Sequence, residues 1–185
     1  AALGRVLAGP VVSSHDVPPW DNSAMDGYAV RVADVSDAGE TRLRVSQRIP
    51  AGHRGGPLVP GTAARIFTGA PVPAGVEAVV MREYCREEDG EVLVSRSAKP
   101  GENIRRRGEE FRLGDPALPA GLRLNPAGVG LLATLGYTEV PVHRTPKVAI
   151  VVTGSELVAP GGELRPGQIY DSNSYILAAA LRAMG

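Results

Sequence analysis

The chain has 185 residues, with 20 basic and 20 acidic side chains, so its formal net charge is zero. That length fits one domain or two small ones, and 43% hydrophobic with 22% charged residues is the mix of an ordinary soluble globular chain. Balanced charge excludes a general nucleic-acid binder, one cysteine excludes an intrachain disulfide, and no apolar run approaches the roughly 20 residues of a membrane span.

Cys85 alone fits a reducing compartment, and Ala1-Ala2-Leu3-Gly4-Arg5 carries no charged leader before an apolar stretch, so a cytoplasmic location is expected. Glycine (23) and proline (16) are dispersed between apolar segments, which predicts many short elements joined by tight turns. Ala1 to Ala8 has helical composition without a cap. From Val11 to about Phe111 the pattern is mostly β, with strands expected at Gly27–Val32, Leu43–Ser46, Ala63–Phe67, Ala78–Met81 and Glu91–Val94. Asp89-Gly90 between two short runs signals a hairpin.

After Gly114 the character changes. Leu122–Leu124 reads as a short strand, Asn125 as a helix cap with Pro126 at the first position, and Gly136 as a left-handed terminator. Glu139–Val142 is a further short strand. From Lys147 the unbroken apolar run Val148–Val152 predicts a parallel strand covered on both faces. The loop Tyr170–Asn173 then precedes a helix with an apolar stripe of Leu177, Ala180, Leu181 and Met184. One strand and one helix cannot cover such a strand, so a fragment lacking most of its last domain is expected.

Four polar clusters can carry chemistry. Asp21 and Asp26, with Asn22 and Ser23 between them, offer hard oxygen ligands to Mg²⁺ or orient a phosphate through it, though on residue chemistry alone the capping of a turn before a strand by Asx side chains is the favoured reading. Thr68-Gly69 at a strand end can present N–H groups to an oxyanion, or simply open a proline-rich turn. Arg105, Arg106 and Arg107 suit forked phosphate recognition, yet Glu102, Glu109 and Glu110 make a self-neutralising surface loop an equal reading. Thr153-Gly154-Ser155-Glu156 and Asp171-Ser172-Asn173 are expected at the carboxyl edge of the parallel sheet, where ligands bind in open α/β folds. The Gly128–Ala133 match to a dinucleotide fingerprint lies inside the expected helix. His15, His53 and His143 lack ligand spacing, Cys85 has no nearby histidine, and no phosphate loop ending in Gly-Lys-Ser/Thr occurs.

In this order, Asp21–Val30, Thr68–Pro73, Asn103–Glu109 and Gly167–Asn173 resemble the molybdopterin molybdenumtransferase (MoeA) family, which includes the E domain of gephyrin. The resemblance runs nearly end to end. It implies a mixed α/β multi-domain protein: a β-rich domain of bifurcated or coiled sheets at 14–112, a discontinuous small α+β linking domain at 1–13 and 113–145, and the first strand-helix unit of a truncated α/β molybdopterin-binding domain at 146–185. The reaction implied is insertion of molybdate into adenylylated molybdopterin with release of AMP, assisted by Mg²⁺, in a homodimer that passes its product to other proteins of the pathway. By motif match, Asp26, Thr68, Glu156 and Glu110 fall at catalytic positions. Thr153, Gly154, Ser155, Asp171, Ser172, Asn173 and Arg105–Arg107 fall at pterin-nucleotide positions, and Asp26 with Asp21 at the metal. Two departures stand out: Ser155 replaces the family's usual Asp, and Glu110 its usual Asp. A gephyrin-like receptor scaffold and a non-catalytic pterin-nucleotide binder are the alternatives.

Overall fold

A computed structural model describes residues 2–184, and the chain divides into two compact units, Val11–Ala117 and Ala1–Pro10 with Leu118–Gly185. The Val11–Ala117 unit carries β1 (Val11–Val12), β2 (Asn22–Ser23), β3 (Gly27–Val30), β4 (Thr41–Ile49), β5 (Thr62–Ile66) and β6 (Ala78–Met81). After a single 3-10 turn at Arg82–Tyr84 come β7 (Cys85–Glu88), β8 (Glu91–Val94), β9 (Ile104–Arg105) and β10 (Pro116–Leu118). The expected strands form here. Gly27–Val32 is shortened, because Val32 enters a 3-10 turn at Val32–Asp34.

Six strands form one mixed sheet in the order β6-β3-β5-β4-β8-β7. β3 runs antiparallel to both β5 and β6, while β4 and β5 are parallel with a bulge between Val45 and Gln47. A flat sheet of six strands would hold its outer strands roughly 24 Å apart. Those outer strands, β6 and β7, are joined only by Arg82–Tyr84, which reaches at most about 14 Å. The sheet must therefore curl towards closure. Side-chain alternation divides the core accordingly. Tyr28, Val30, Leu43, Ala63, Val80, Val92 and Val94 pack in one buried cluster, and Ala29, Ile49, Ala64, Ile66 and Val79 pack in a second on the opposite face. Buried on both faces, β3 reads as a near-continuous apolar run, while β5 buries Thr62 and Arg65 among its apolar residues. Asp89 and Gly90 both have positive φ (50° and 78°) and close the β7–β8 hairpin in two residues. Gly27 has no alternative: a Cβ there would lie 2.0 Å from the Val80 carbonyl oxygen on β6.

The second unit holds α1 (Pro126–Thr134), β11 (Leu157–Val158), β12 (Ile169–Tyr170) and α2 (Asn173–Met184). The Asn125 side chain accepts the Gly128 N–H at 2.8 Å, and Gly136 takes φ 76°, the cap and terminator the sequence indicates. Ala2–Ala8 is not helical. Gly4 adopts φ 77°, and Val6 and Leu7 bridge instead to Arg123 and Val142, to which the strands expected at Leu122–Leu124 and Glu139–Val142 are reduced.

The parallel strand expected at Val148–Val152 does not form. No described strand pairs with it, and Val148 and Val151 are 57% and 82% exposed. A strand without neighbours leaves its N–H and C=O groups to water, so apolar content alone does not hold it. The parallel pair is β11 with β12. Thr153–Glu156 consequently precedes β11 while Asp171–Asn173 follows β12, at opposite ends of the two-residue ladder rather than together at one carboxyl edge. Helix α2 turns Ser174, Ala178 and Leu181 partly inward, where Ala178 and Leu181 face Val148 and Ile150 across a cavity of about 520 Å³. Leu177 and Met184 of the expected stripe are exposed. Among the described residues, no helix is long and apolar enough to cross a membrane.

Candidate functional site

Antiparallel pairing brings the start of β3 to the ends of β5 and β6, and this topology builds the site. Asp26, just ahead of β3, meets Thr68 just beyond β5 and Arg82 just beyond β6. The Thr68 N–H donates to Asp26 Oδ1 at 2.9 Å and the Thr68 hydroxyl to the same oxygen at 2.7 Å, while the Arg82 N–H donates to the Asp26 carbonyl at 3.0 Å. The two Thr68 donors hold the Asp26 carboxyl below its usual 3.8, assisted by the charges of Arg65 and Arg82. Asp26 is thus a fixed anion at neutral pH, suited to charge and ligand work rather than proton transfer.

Behind it, at one mouth of the curled sheet, lies a cavity of about 440 Å³ lined by Asp26, Arg48, Arg65, Phe67, Arg82 and Glu87 among others. Arg65 is 7% exposed on β5, with its guanidinium 4.9 Å from the Tyr28 and Phe67 ring centroids and donating to the Gly27 carbonyl at 3.1 Å. Among the described residues it has no carboxylate partner within salt-bridge distance. Arg48, the cross-strand neighbour of Arg65 on β4, also stacks on Phe67, 4.8 Å from its ring centroid. Glu87 accepts a hydrogen bond from the Tyr28 hydroxyl, which, with burial first, pushes Tyr28 up to about 12. Four arginines, counting Arg86, face two carboxylates in this cavity, so it favours an anion. The motif reading passed over Arg48, Arg65 and Arg82. One signal was there: an arginine inside Thr62–Ile66, a strand whose every position is buried.

The other motifs lace onto the same region. Val72 N–H donates to Asp21 O, Gly69 N–H to Ser23 O and Ala24 N–H to Asn103 O, and β2 pairs with β9 through Asn22 and Arg105. Asp21, however, gives Oδ2 to the Arg106 guanidinium (2.7 Å) and Oδ1 to the Arg107 N–H (2.8 Å). Arg107 also pairs with Asp16, and the Arg106 N–H is held by Glu109 Oε2 at 2.7 Å. Asp21, Arg106 and Arg107 therefore fasten the segment at 16–21 to the loop at 105–110. Arg105 and Glu110 keep exposed side chains with no ion pair among the described residues.

In the other unit, the exposed Glu156 carboxylate folds over Gly154, where an added Cβ would sit 2.5 Å from its Oε2; Thr153 and Ser155 are exposed beside it. Asp171 spends both oxygens on Ser174, which lowers its pKa and starts α2, the Ser172 carbonyl accepts the Ile176 N–H, and Asn173 is exposed. No group of three His, Cys, Asp or Glu side chains able to hold a metal occurs among the described residues.

The family described as MoeA N-terminal region (domain I and II) matches residues 1–136. This chain belongs to that family. A molybdopterin molybdenumtransferase of a Nostoc species is 48% identical over 189 residues, covering 100% of this chain and 43% of the relative. Molybdopterin molybdenumtransferase 2 of Mycobacterium tuberculosis is 47% identical over 188 residues, with 100% and 46% covered. The crystal structure of a molybdopterin biosynthesis MoeA protein from Pyrococcus horikoshii superposes with a TM-score of 0.90 at 37% identity, over 98% of this chain and 49% of that one. The chain thus spans less than half the length of these MoeA relatives.

Proposed function

We propose that this chain is the substrate-anchoring part of a molybdopterin molybdenumtransferase, which inserts molybdate into adenylylated molybdopterin and releases AMP. One observation supports this most: the Asp26–Thr68 pair stands at the rim of a cavity whose arginines lack enough acids to balance them. Arg48, Arg65 and Arg82 neutralise the phosphate charge of a pterin nucleotide, and the buried guanidinium of Arg65, held between two rings, does so without reorganising. Thr68 keeps Asp26 ionised and aimed. Mg²⁺ fits this residue set only in the mode that uses one carboxylate plus substrate phosphates, with Asp26 Oδ2 as the protein ligand. Bound there, it would polarise the phosphoanhydride. Asp21, with both oxygens engaged, is left out of that role. We take the working form as a cytoplasmic homodimer in which Glu156 and the Asp171 loop of a second copy join Asp26 and Thr68, and residues 146–185 as the opening of a further domain.

The test is AMP release from adenylylated molybdopterin and molybdate by a protein of the relatives' full length that carries this segment. Asp26→Ala should lose about 100-fold or more in rate while folding normally. Undiminished turnover would remove Asp26 from the site, and tight nucleotide binding without AMP release would leave a pterin-nucleotide binder.

A further inference from the structure

The Ala1–Pro10 and Leu118–Gly185 unit contains a cavity of about 610 Å³, lined by Arg5, Arg123, His143 and Arg144, with Val6 and Met184 among its apolar walls. No acidic side chain lines it. Arg5 donates from one terminal nitrogen to the His143 carbonyl at 2.7 Å, and Arg123 donates from Nε to the Gly4 carbonyl at 3.1 Å. Each guanidinium is thereby fixed by one of its five donors, and among the described residues the remaining donors meet no carboxylate. Arg144 makes neither a hydrogen bond nor an ion pair among the described residues. Three like charges in one concavity repel each other, and an anion would relieve that repulsion.

We infer that this cavity binds a phosphate-bearing small molecule, its phosphate held by Arg5, Arg123 and Arg144 and its organic part lying against Val6 and Met184. The volume supports a nucleotide-sized ligand, since small-molecule sites span about 300–1,000 Å³. Planar forked donors suit phosphate oxygens, and backbone anchoring of Arg5 and Arg123 lowers the entropy lost on binding. This site is distinct in residues and in unit from the Asp26 cavity, so either can fail without the other.

The imidazole resonances of His143 give a reporter that the Asp26 cavity does not move. Proton NMR of a protein of the relatives' full length that carries this segment, with His143→Gln to assign the signals, would follow titration with inorganic pyrophosphate and with AMP in an Arg82→Glu background. Saturable shifts of His143, with His15 and His53 unmoved, are expected from both. Arg144→Glu should weaken them at least tenfold, and Arg144→Lys should weaken them less. Because the Arg144 side chain supports no other contact, both variants keep the fold, as far-UV circular dichroism would verify. A His143 signal unmoved by about 10 mM of either anion, a concentration reaching affinities near −2.7 kcal/mol, would overturn the inference. So would an Arg144→Glu titration matching that of the unsubstituted chain.

Discussion

At Asp26 two hydrogen bonds from one residue set a charge. Thr68→Val removes the hydroxyl donor and keeps the N–H, so the Asp26 pKa should rise towards, without reaching, the usual 3.8. Carboxyl carbon chemical shifts against pH would measure it, and Thr68→Ser should restore the lower value. Cys85 lies at the opposite extreme. Burial, set against a smaller opposing effect of Arg65, pushes its thiol up to about 11. Alkylation of the folded chain near pH 8 should run at least tenfold slower than in denaturant, since only the thiolate reacts. The sequence shows Cys85 without an activating histidine, and burial moves its thiol further from the reactive thiolate. The role of Arg65 was hidden, because a buried guanidinium satisfied by ring faces and a carbonyl leaves no spacing for a motif to display.

The turn and the helix cap, built from local signals, formed as expected, as did the strands of the six-stranded sheet, whereas the strand expected at Val148–Val152 did not. The Asp89-Gly90 turn and the Asn125-Pro126 cap are short-range chemistry, and both appear. Asn125→Ala should cost about 1 kcal/mol in denaturant unfolding, the usual value of such a cap. Gly27→Ala should cost more, about 3 kcal/mol or above, because the added methyl forces β3 and β6 apart at a backbone carbonyl that cannot rotate away. Chemical denaturation followed by circular dichroism would rank the two. Val148–Val152 shows the opposite case. Its composition states that a strand there would be buried on both faces, while whether anything pairs with it is decided by strands elsewhere in the chain.

Across the molecule, Asp16, Asp21, Asp26 and Asp171 all titrate below 3.8 in the folded state. Each binds its proton more weakly folded than unfolded. Their contribution is therefore complete above about pH 4 and is lost as the pH falls through the folded values. Asp26 is exposed and Asp16, Asp21 and Asp171 are half-buried at the surface, so solvent screening keeps each contribution small. The unfolding midpoint should fall on acidification below about pH 4, and a variant with Asp16→Asn and Asp21→Asn should start lower at neutral pH and fall less. The convergence of three separate motifs on one region of the Val11–Ala117 unit was legible only as an order of segments. Strand pairing, which turns that order into proximity, depends on registers that no single stretch carries.

The seating of Arg65 also has a bearing on ionic strength. Sodium chloride at cellular levels damps attraction between solvent-facing charges over about 8 Å, so the pull of Arg105 or Arg106 on an incoming ligand fades as salt is added. A cation walled off by Tyr28, Phe67 and the Gly27 carbonyl keeps counter-ions at a distance and loses far less. Anion affinity at the mouth of the curled sheet should accordingly level off in concentrated salt instead of vanishing.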